Sequence, residues 1–447
     1  MTKFTAATLI LLLLLSVPSL LKSSKVFPYD YQIEVLENGL KLISIPLNNP
    51  HIISYYTIVR SGSRNEVELG KSGFAHFFEH MMFKGTQKFP REAYEDILTK
   101  LGAGTNGYTT DDYTCYYVVF AGGENLEKVV ELQADIFINL YYTEEMLKTE
   151  ASVIEGEYYH SVSNPGRKIY EILRDTAFEK HSYKHTVIGY FEDIKDMPNQ
   201  FEYSQLYRKR FYAPDNTIIL VAGDYDHEKL MEYIKKYYSG WEKSGYKIVT
   251  PEEPLQTKAK RAHYVWPTKT LPRLTIGFHG PAYFEEKIDK AALNLLAEIA
   301  FSRSSPLYQK LVIEEQKCLT LYASFADRRD PYLLTFNSTV KKDEDLPYVE
   351  KAIFQELERL KKEPVSEEIL ADVKSNLKYS FANSMGTTDG VASALAFYIN
   401  LTADPATVNK LFDLYEKLTP EDIQEMARKY FKKTNSTVVT LTGGKAK

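Results

Sequence analysis

Arg208-Lys209-Arg210-Phe211-Tyr212-Ala213-Pro214-Asp215-Asn216-Thr217-Ile218-Ile219-Leu220-Val221 is echoed later in the chain by Ala427-Arg428-Lys429-Tyr430-Phe431-Lys432-Lys433-Thr434-Asn435-Ser436-Thr437-Val438-Val439. Each run reads as a helix end, a turn and a β-branched strand, and Asn216 and Asn435 stand 219 residues apart. A repeat of that length is a duplicated domain, since solenoid and propeller units recur about every 20–50 residues. Outward from the two runs, each half opens on strands (40–46 and 52–60 in the first, 274–278 in the second), continues through amphipathic helices and closes on the quoted strand. The expected class is therefore α+β, with two similar domains of antiparallel-rich sheet and helices at residues 25–249 and 262–447. The polar stretch 250–261, TPEEPLQTKAKR, is the expected linker.

Chemistry concentrates in Gly73-Phe74-Ala75-His76-Phe77-Phe78-Glu79-His80-Met81-Met82-Phe83. Helical positions three and four apart share a face, so His76 and His80 can hold one metal while Glu79 points into the same space. This H-x-x-E-H order inverts the H-E-x-x-H zinc helix. Two neutral imidazoles suit zinc, and a hydrolytic zinc site takes a third protein ligand and keeps one position for water. The bland alternative is a pair of polar residues on a solvated face, against which the aromatic and Met neighbours argue. In the second half, the apolar helix expected at 290–301 takes the corresponding place and contains no His.

A third, acidic ligand is expected from Glu150-Ala151-Ser152-Val153-Ile154-Glu155-Gly156-Glu157. At about 100° per residue, Met146, Leu147, Glu150, Val153, Ile154 and Glu157 fall on one apolar face, with Glu155 nearly opposite and solvated. Carboxylates on an inward face are costly unless paired or metal-bound, which leaves Glu150 and Glu157 as the functional candidates. Buried ion pairs are the alternative for both.

These residues resemble the M16 (pitrilysin-type, inverzincin) zinc metallopeptidases, in particular their processing-peptidase-like branch. The resemblance extends to Gly62-Ser63-Arg64-Asn65-Glu66, to Phe83-Lys84-Gly85-Thr86 and to Asn106-Gly107-Tyr108-Thr109-Thr110-Asp111-Asp112-Tyr113-Thr114-Cys115-Tyr116-Tyr117, and then to Gly189 and the 211–223 run. It is strong in the first half and weaker in the second. It implies a clam-like architecture around a chamber, shared with LuxS-type metalloenzymes, and a Zn²⁺ held by His76, His80 and an acidic residue. Family spacing admits Glu155 and Glu157; the family's local pattern after Val153-Ile154 selects Glu157. Glu150 matches the supporting carboxylate, and Glu79 the general base. Asn106 is the expected substrate-binding residue, on a strand read across 106–119 to which an extended peptide adds by backbone pairing.

Composition fits a large globular enzyme: 44% hydrophobic and 26% charged residues, with a net charge of −5 that leaves no basic surface for nucleic acid. Residues 4–21, FTAATLILLLLLSVPSLL, follow Lys3 and read as a signal peptide or N-terminal anchor within 1–24, giving an exported, periplasmic or extracytoplasmic protein. Cys115 and Cys318 are the only cysteines; Cys115 lies in a Tyr/Val-rich strand and reads as a small apolar residue.

One departure bears on partners. The family's single-chain and homodimeric members carry an Arg and a Tyr after Ser-x-Leu-Tyr that bind the substrate carbonyl; after Ser305-Pro306-Leu307-Tyr308, this chain has Val312 and Leu319. Neither side chain donates a hydrogen bond. The resemblance thus implies a zinc-bearing subunit of a heterodimer, whose second M16-type subunit supplies the pair, acting on a peptide substrate. Tyr322 or Arg328 is the local alternative. A non-catalytic scaffold of the same fold and a zinc-binding envelope protein are the rival functions.

Overall fold

The computed structural model describes residues 25–48 and 51–444. The signal or anchor expected within 1–24 lies outside the described residues. Among the described residues, no helix is long and apolar enough to cross a membrane.

Ile52-Ile53-Ser54-Tyr55-Tyr56-Thr57-Ile58-Val59 is β-branched and aromatic almost throughout, and it forms a strand buried from its second residue to its last. It belongs to a sheet built from β1 (Gln32–Val35), β2 (Lys41–Pro46), β3 (Ile52–Val59), β4 (Gly104–Thr109), β5 (Thr114–Ala121) and β6 (Thr217–Gly223), in the order β1-β2-β6-β3-β5-β4. The second half supplies β7 (Lys260–Trp266), β8 (Arg273–His279), β9 (Cys318–Ser324), β10 (Leu333–Val340) and β11 (Ser436–Gly443), in the order β7-β11-β8-β10-β9. Apart from β1, which has no counterpart among the described strands of the second half, the sheets share one topology. In each, the closing strand from the repeated run (β6 or β11) pairs parallel with one neighbour (β2 or β7) and antiparallel with the other (β3 or β8). The edges β4 and β9 also correspond, each antiparallel to the strand inside it. The helix Phe74–Met81 packs beside β4, and Ile288–Phe301, which has no His, packs beside β9. The duplication read in the sequence is thus a duplication of fold.

Residues 106–119 do not form one strand. They span a hairpin, β4 and β5, because Thr110 closes a turn: its Oγ1 accepts the backbone N–H of Asp112 and Tyr113 at 3.2 and 3.1 Å and donates to the Tyr113 carbonyl at 2.9 Å. β7 begins at Lys260, inside the stretch read as linker.

The halves exchange helices. Pro165–Ala177, from the first half, packs on β7, β8 and β11, while Thr388–Thr402, from the second, packs on β3 and β6. Ile43, Tyr56, Ile58, Ile218 and Leu220 of the first sheet are consequently buried in one core with Val391, Leu395 and Ile399. Each such aliphatic side chain contributes about 1.5–3 kcal/mol by leaving water. The exchange therefore binds the two sheets into one body, and β4, one of the two edges of the first sheet, packs against the helix carrying the histidines.

Candidate metal centre

The helix Phe74–Met81 buries Phe74, Phe77, Phe78 and Met81, which turns His76, Glu79 and His80 to its other face. It starts at Gly73 with φ +94°, where a Cβ would meet the Ile188 carbonyl at 2.8 Å, so this start requires glycine. Glu66 caps it, accepting the Gly73 and Ala75 N–H groups at 2.8 and 2.6 Å. Burial nevertheless pushes the Glu66 carboxyl up to about 8, against those amides. A raised carboxyl pKa favours folding fully below the unfolded value and loses that contribution as pH rises toward the folded one. With chelator present, the wild type is expected to lose a few kcal/mol relative to Glu66→Gln between pH 5 and 8. Parallel stability profiles for the two proteins, measured by thermal melting, would rule this out.

The helix Glu144–Val162 is capped by Thr143, whose side chain accepts the Met146 N–H at 3.2 Å, with Glu144 and Glu145 favourably placed in its first turn. Its buried stripe is Leu147, Glu150, Ala151, Ile154 and Tyr158. This differs from the face expected from periodicity. Val153 is exposed and Glu155 is half-buried, with the Tyr159 hydroxyl 3.5 Å from its carboxylate, so Glu155 is not the freely solvated residue expected. The stripe runs through Ala151 and Tyr158, leaving Glu157 at its rim over an open cavity, 44% exposed.

Glu150 accepts a hydrogen bond from His80 Nδ1 at 2.8 Å and pairs with Lys84. Burial opposes its ionisation, but the hydrogen bonds from His80 and Lys84 hold its pKa down at about 2. Burial works against a charge on His80, but the Glu150 hydrogen bond and the carboxylates around it raise its pKa; in its neutral form, with Nδ1 donating to Glu150, Nε2 presents a lone pair. Burial, with the neighbouring His80, pushes His76 down to about 3, so this imidazole is neutral. The two Nε2 atoms face each other at 3.3 Å, and Glu157 Oε2 lies 3.5 and 3.6 Å from them. Two imidazole nitrogens and a carboxylate oxygen converge here, and the three atoms form a candidate cation-binding group. For bonds of about 2.0–2.1 Å, the edges of a tetrahedron are about 3.3–3.4 Å, so the donor set and its spacing fit a zinc ion.

Glu79 stands beside this group, and the Thr109 hydroxyl donates to its Oε2 at 2.6 Å. Burial raises the Glu79 pKa, partly offset by that hydrogen bond. Both groups line a cavity of about 770 Å³ with His76, Glu157, Asp111 and Arg328. Of the two local alternatives to the missing Arg and Tyr, Arg328 reaches this cavity; Tyr322 lies on β9, half-exposed beside a separate pocket. Val312 is half-buried against the second-half core, and Leu319 is exposed on β9. Asn106 is exposed on the β4 edge, its Oδ1 accepting the Gly107 N–H at 2.9 Å, and does not line the cavity. Cys115 and Cys318 are buried free thiols. Lys84, Thr109 and Glu66 belong to the site yet were not singled out in the sequence, although each lies in a run that carries the family resemblance. Their roles depend on which loop meets which helix, and spacing carries no such signal.

Residues 48–189 match the family model described as Insulinase (Peptidase family M16), and residues 202–377 match the Peptidase M16 inactive domain. The chain is similar to the zinc protease PqqE of Helicobacter pylori, 29% identical over 91% of this chain and 91% of that protein. It is 24% identical to the beta subunit of the mitochondrial-processing peptidase of Saccharomyces cerevisiae, over 87% of this chain and 86% of that one. The crystal structure of a protease from Helicobacter pylori superposes with a TM-score of 0.86 at 28% identity, covering 93% of this chain and 100% of the other.

Proposed function

The chain belongs to the M16 peptidase family, and from that premise we propose that it is a zinc-dependent endopeptidase acting on unfolded peptides, as the zinc-bearing subunit of a pair. The observation that carries this reading is the mutual 3.3–3.6 Å spacing of His76 Nε2, His80 Nε2 and Glu157 Oε2 with Glu79 alongside. These three residues would hold Zn²⁺, which would supply Lewis acidity and lower the pKa of water at the site toward neutrality. Glu150 fixes the His80 tautomer and ring orientation. Glu79, positioned by the Thr109 hydroxyl on its Oε2, takes the water proton and returns it to the leaving amine. Burial raises its pKa, which makes it a better base than a solvated carboxylate. The unpaired β4 edge, with Asn106 on it, receives the extended substrate as an added strand, which requires an unfolded peptide.

The subunit pairing rests on Val312 and Leu319, which donate nothing, and on similarity to a protein named as a subunit of a processing peptidase. An exported location rests on residues 4–21 alone.

The test is metal content together with hydrolysis. Purified protein should hold about one zinc per chain by elemental analysis. A chelator should abolish cleavage of an unstructured peptide and added zinc restore it. Glu157→Gln should weaken zinc retention, while Glu155→Gln should not. Equal zinc content in the wild type and both variants would remove Glu157 from the ligand set.

A further inference from the structure

The Asp111 carboxylate is 3% exposed and faces two guanidinium groups. Arg328 donates to its Oδ2 from Nε at 3.0 Å with Nη2 2.9 Å from the same oxygen, and Arg174 Nη2 stands 2.8 Å from Oδ1. One anion cannot neutralise two cations. Nor does Asp112 supply the missing charge. Its oxygens accept the Tyr183 hydroxyl and the Arg329 N–H, and two more arginines, Arg60 and Arg329, are buried nearby. The cluster is cationic in excess.

That excess faces the cavity beside the proposed zinc site, where the Glu171 carboxylate on the same lining is paired with Lys168 at 2.6 Å. Arg174, only 1% exposed, lines the cavity with its Nη2 out of hydrogen-bond alignment, and its guanidinium is stacked 5.5 and 5.6 Å from the rings of Tyr170 and Tyr332. Arg328 lines the same wall, its guanidinium 5.2 Å from the Tyr332 ring. Burial works against the charge on both, but the Asp111 carboxylate more than reverses it and keeps them ionised. Arg167 adds a third, exposed guanidinium to the lining. Planar guanidinium groups held in place by stacking are suited to bind carboxylates.

The wall is close to the reacting centre along the chain. Asp111 is two residues beyond Thr109, which donates to Glu79, and two residues span at most about 7 Å.

We propose that Arg174, Arg328 and Arg167 form a subsite for a carboxylate of the bound peptide, so that the protein selects chains carrying an acidic group within a few residues of the bond presented to Glu79. The link to cleavage rests on the peptidase reading; the binding preference stands without it. The carboxylate comes either from an Asp or Glu side chain or from the peptide C-terminus.

The experiment measures binding and cleavage separately. Fluorescence anisotropy on zinc-loaded Glu79→Gln should show an unstructured peptide with one Glu and a free C-terminus binding about tenfold or more tighter than its Gln-containing, C-terminally amidated counterpart. Peptides carrying only one of the two changes assign the source, since the neutralisation that loses the affinity identifies the carboxylate. Adding Arg167→Gln, an exposed change, or Arg328→Gln should reduce the preference while zinc content stays at one per chain. Equal affinity for all four peptides overturns the subsite whatever the variants do. Cleavage by the wild type without any acidic preference does the same while leaving the peptidase reading intact. A carboxylate preference in binding with no cleavage of any peptide, by the chain alone or mixed with a homologue carrying the Arg and Tyr pair, sinks the peptidase reading and upholds the subsite.

Discussion

Zinc-loaded Glu79→Gln is expected to keep its metal and to lose peptide hydrolysis by about 10²–10⁴-fold, the range that general acid–base catalysis contributes. The change leaves His76, His80, Glu157 and the His80–Glu150 hydrogen bond in place, so the metal content should not fall. Glutamine can still accept the Thr109 hydroxyl bond, which preserves the local geometry. What it cannot do is take a proton from water and give it to an amine. The loss should therefore appear in kcat more than in KM, because peptide binding along β4 and the cavity wall does not use this carboxylate. Single-turnover measurement on an unstructured peptide, with zinc assayed in the same sample, checks it. A variant that hydrolyses at the wild-type rate would overturn the mechanism, and one that loses its zinc would make Glu79 part of the ligand set.

The extent to which this site could be read in the sequence follows from the physics of each residue. His76, Glu79 and His80 are neighbours along one helix, so periodicity alone brings them together. The duplicated fold was legible for a similar reason: each closing strand is β-branched and follows a turn, signals that are local. Reading the Glu144–Val162 helix as an ideal wheel misjudged Val153 and Glu155, since burial there depends on where the packed neighbours end and the cavity begins, which no wheel contains. Treating 106–119 as one strand overlooked Thr110, whose hydroxyl competes with the ladder for backbone hydrogen bonds and closes a turn. The exchange of helices between the halves and the meeting of Asp111 with Arg174 and Arg328 are contacts between distant segments. A single sequence holds the residue types for such contacts but not their partners.

The isolated chain is expected to be a poor peptidase even when fully zinc-loaded, and mixing it with a homologue that carries the Arg and Tyr pair should raise the rate about a hundredfold or more, the cost of a lost oxyanion donor. Val312 and Leu319 stand where the family resemblance places the pair, and neither lines the cavity of its own chain. Arg328 does line it, held in the wall by its Nε bond to Asp111 at 3.0 Å and its Nη1 bond to the Asp327 carbonyl at 3.2 Å, which makes it the local donor to set against the pair. A donor in trans meets the need without disturbing that network. Sizing chromatography of the mixture should resolve a heterodimer whose fractions carry the raised activity. Equal activity of the chain alone would sink the pairing and return the role to a local donor, with Arg328 ahead of Tyr322 because only Arg328 reaches the cavity. Engineering the pair into this chain is the weaker test. Leu319→Tyr falls on an exposed strand position and should be tolerated, whereas Val312→Arg would force a cation against the apolar core that Val312 packs on. Failure of that double variant would therefore report on folding, and the mixing experiment decides the question.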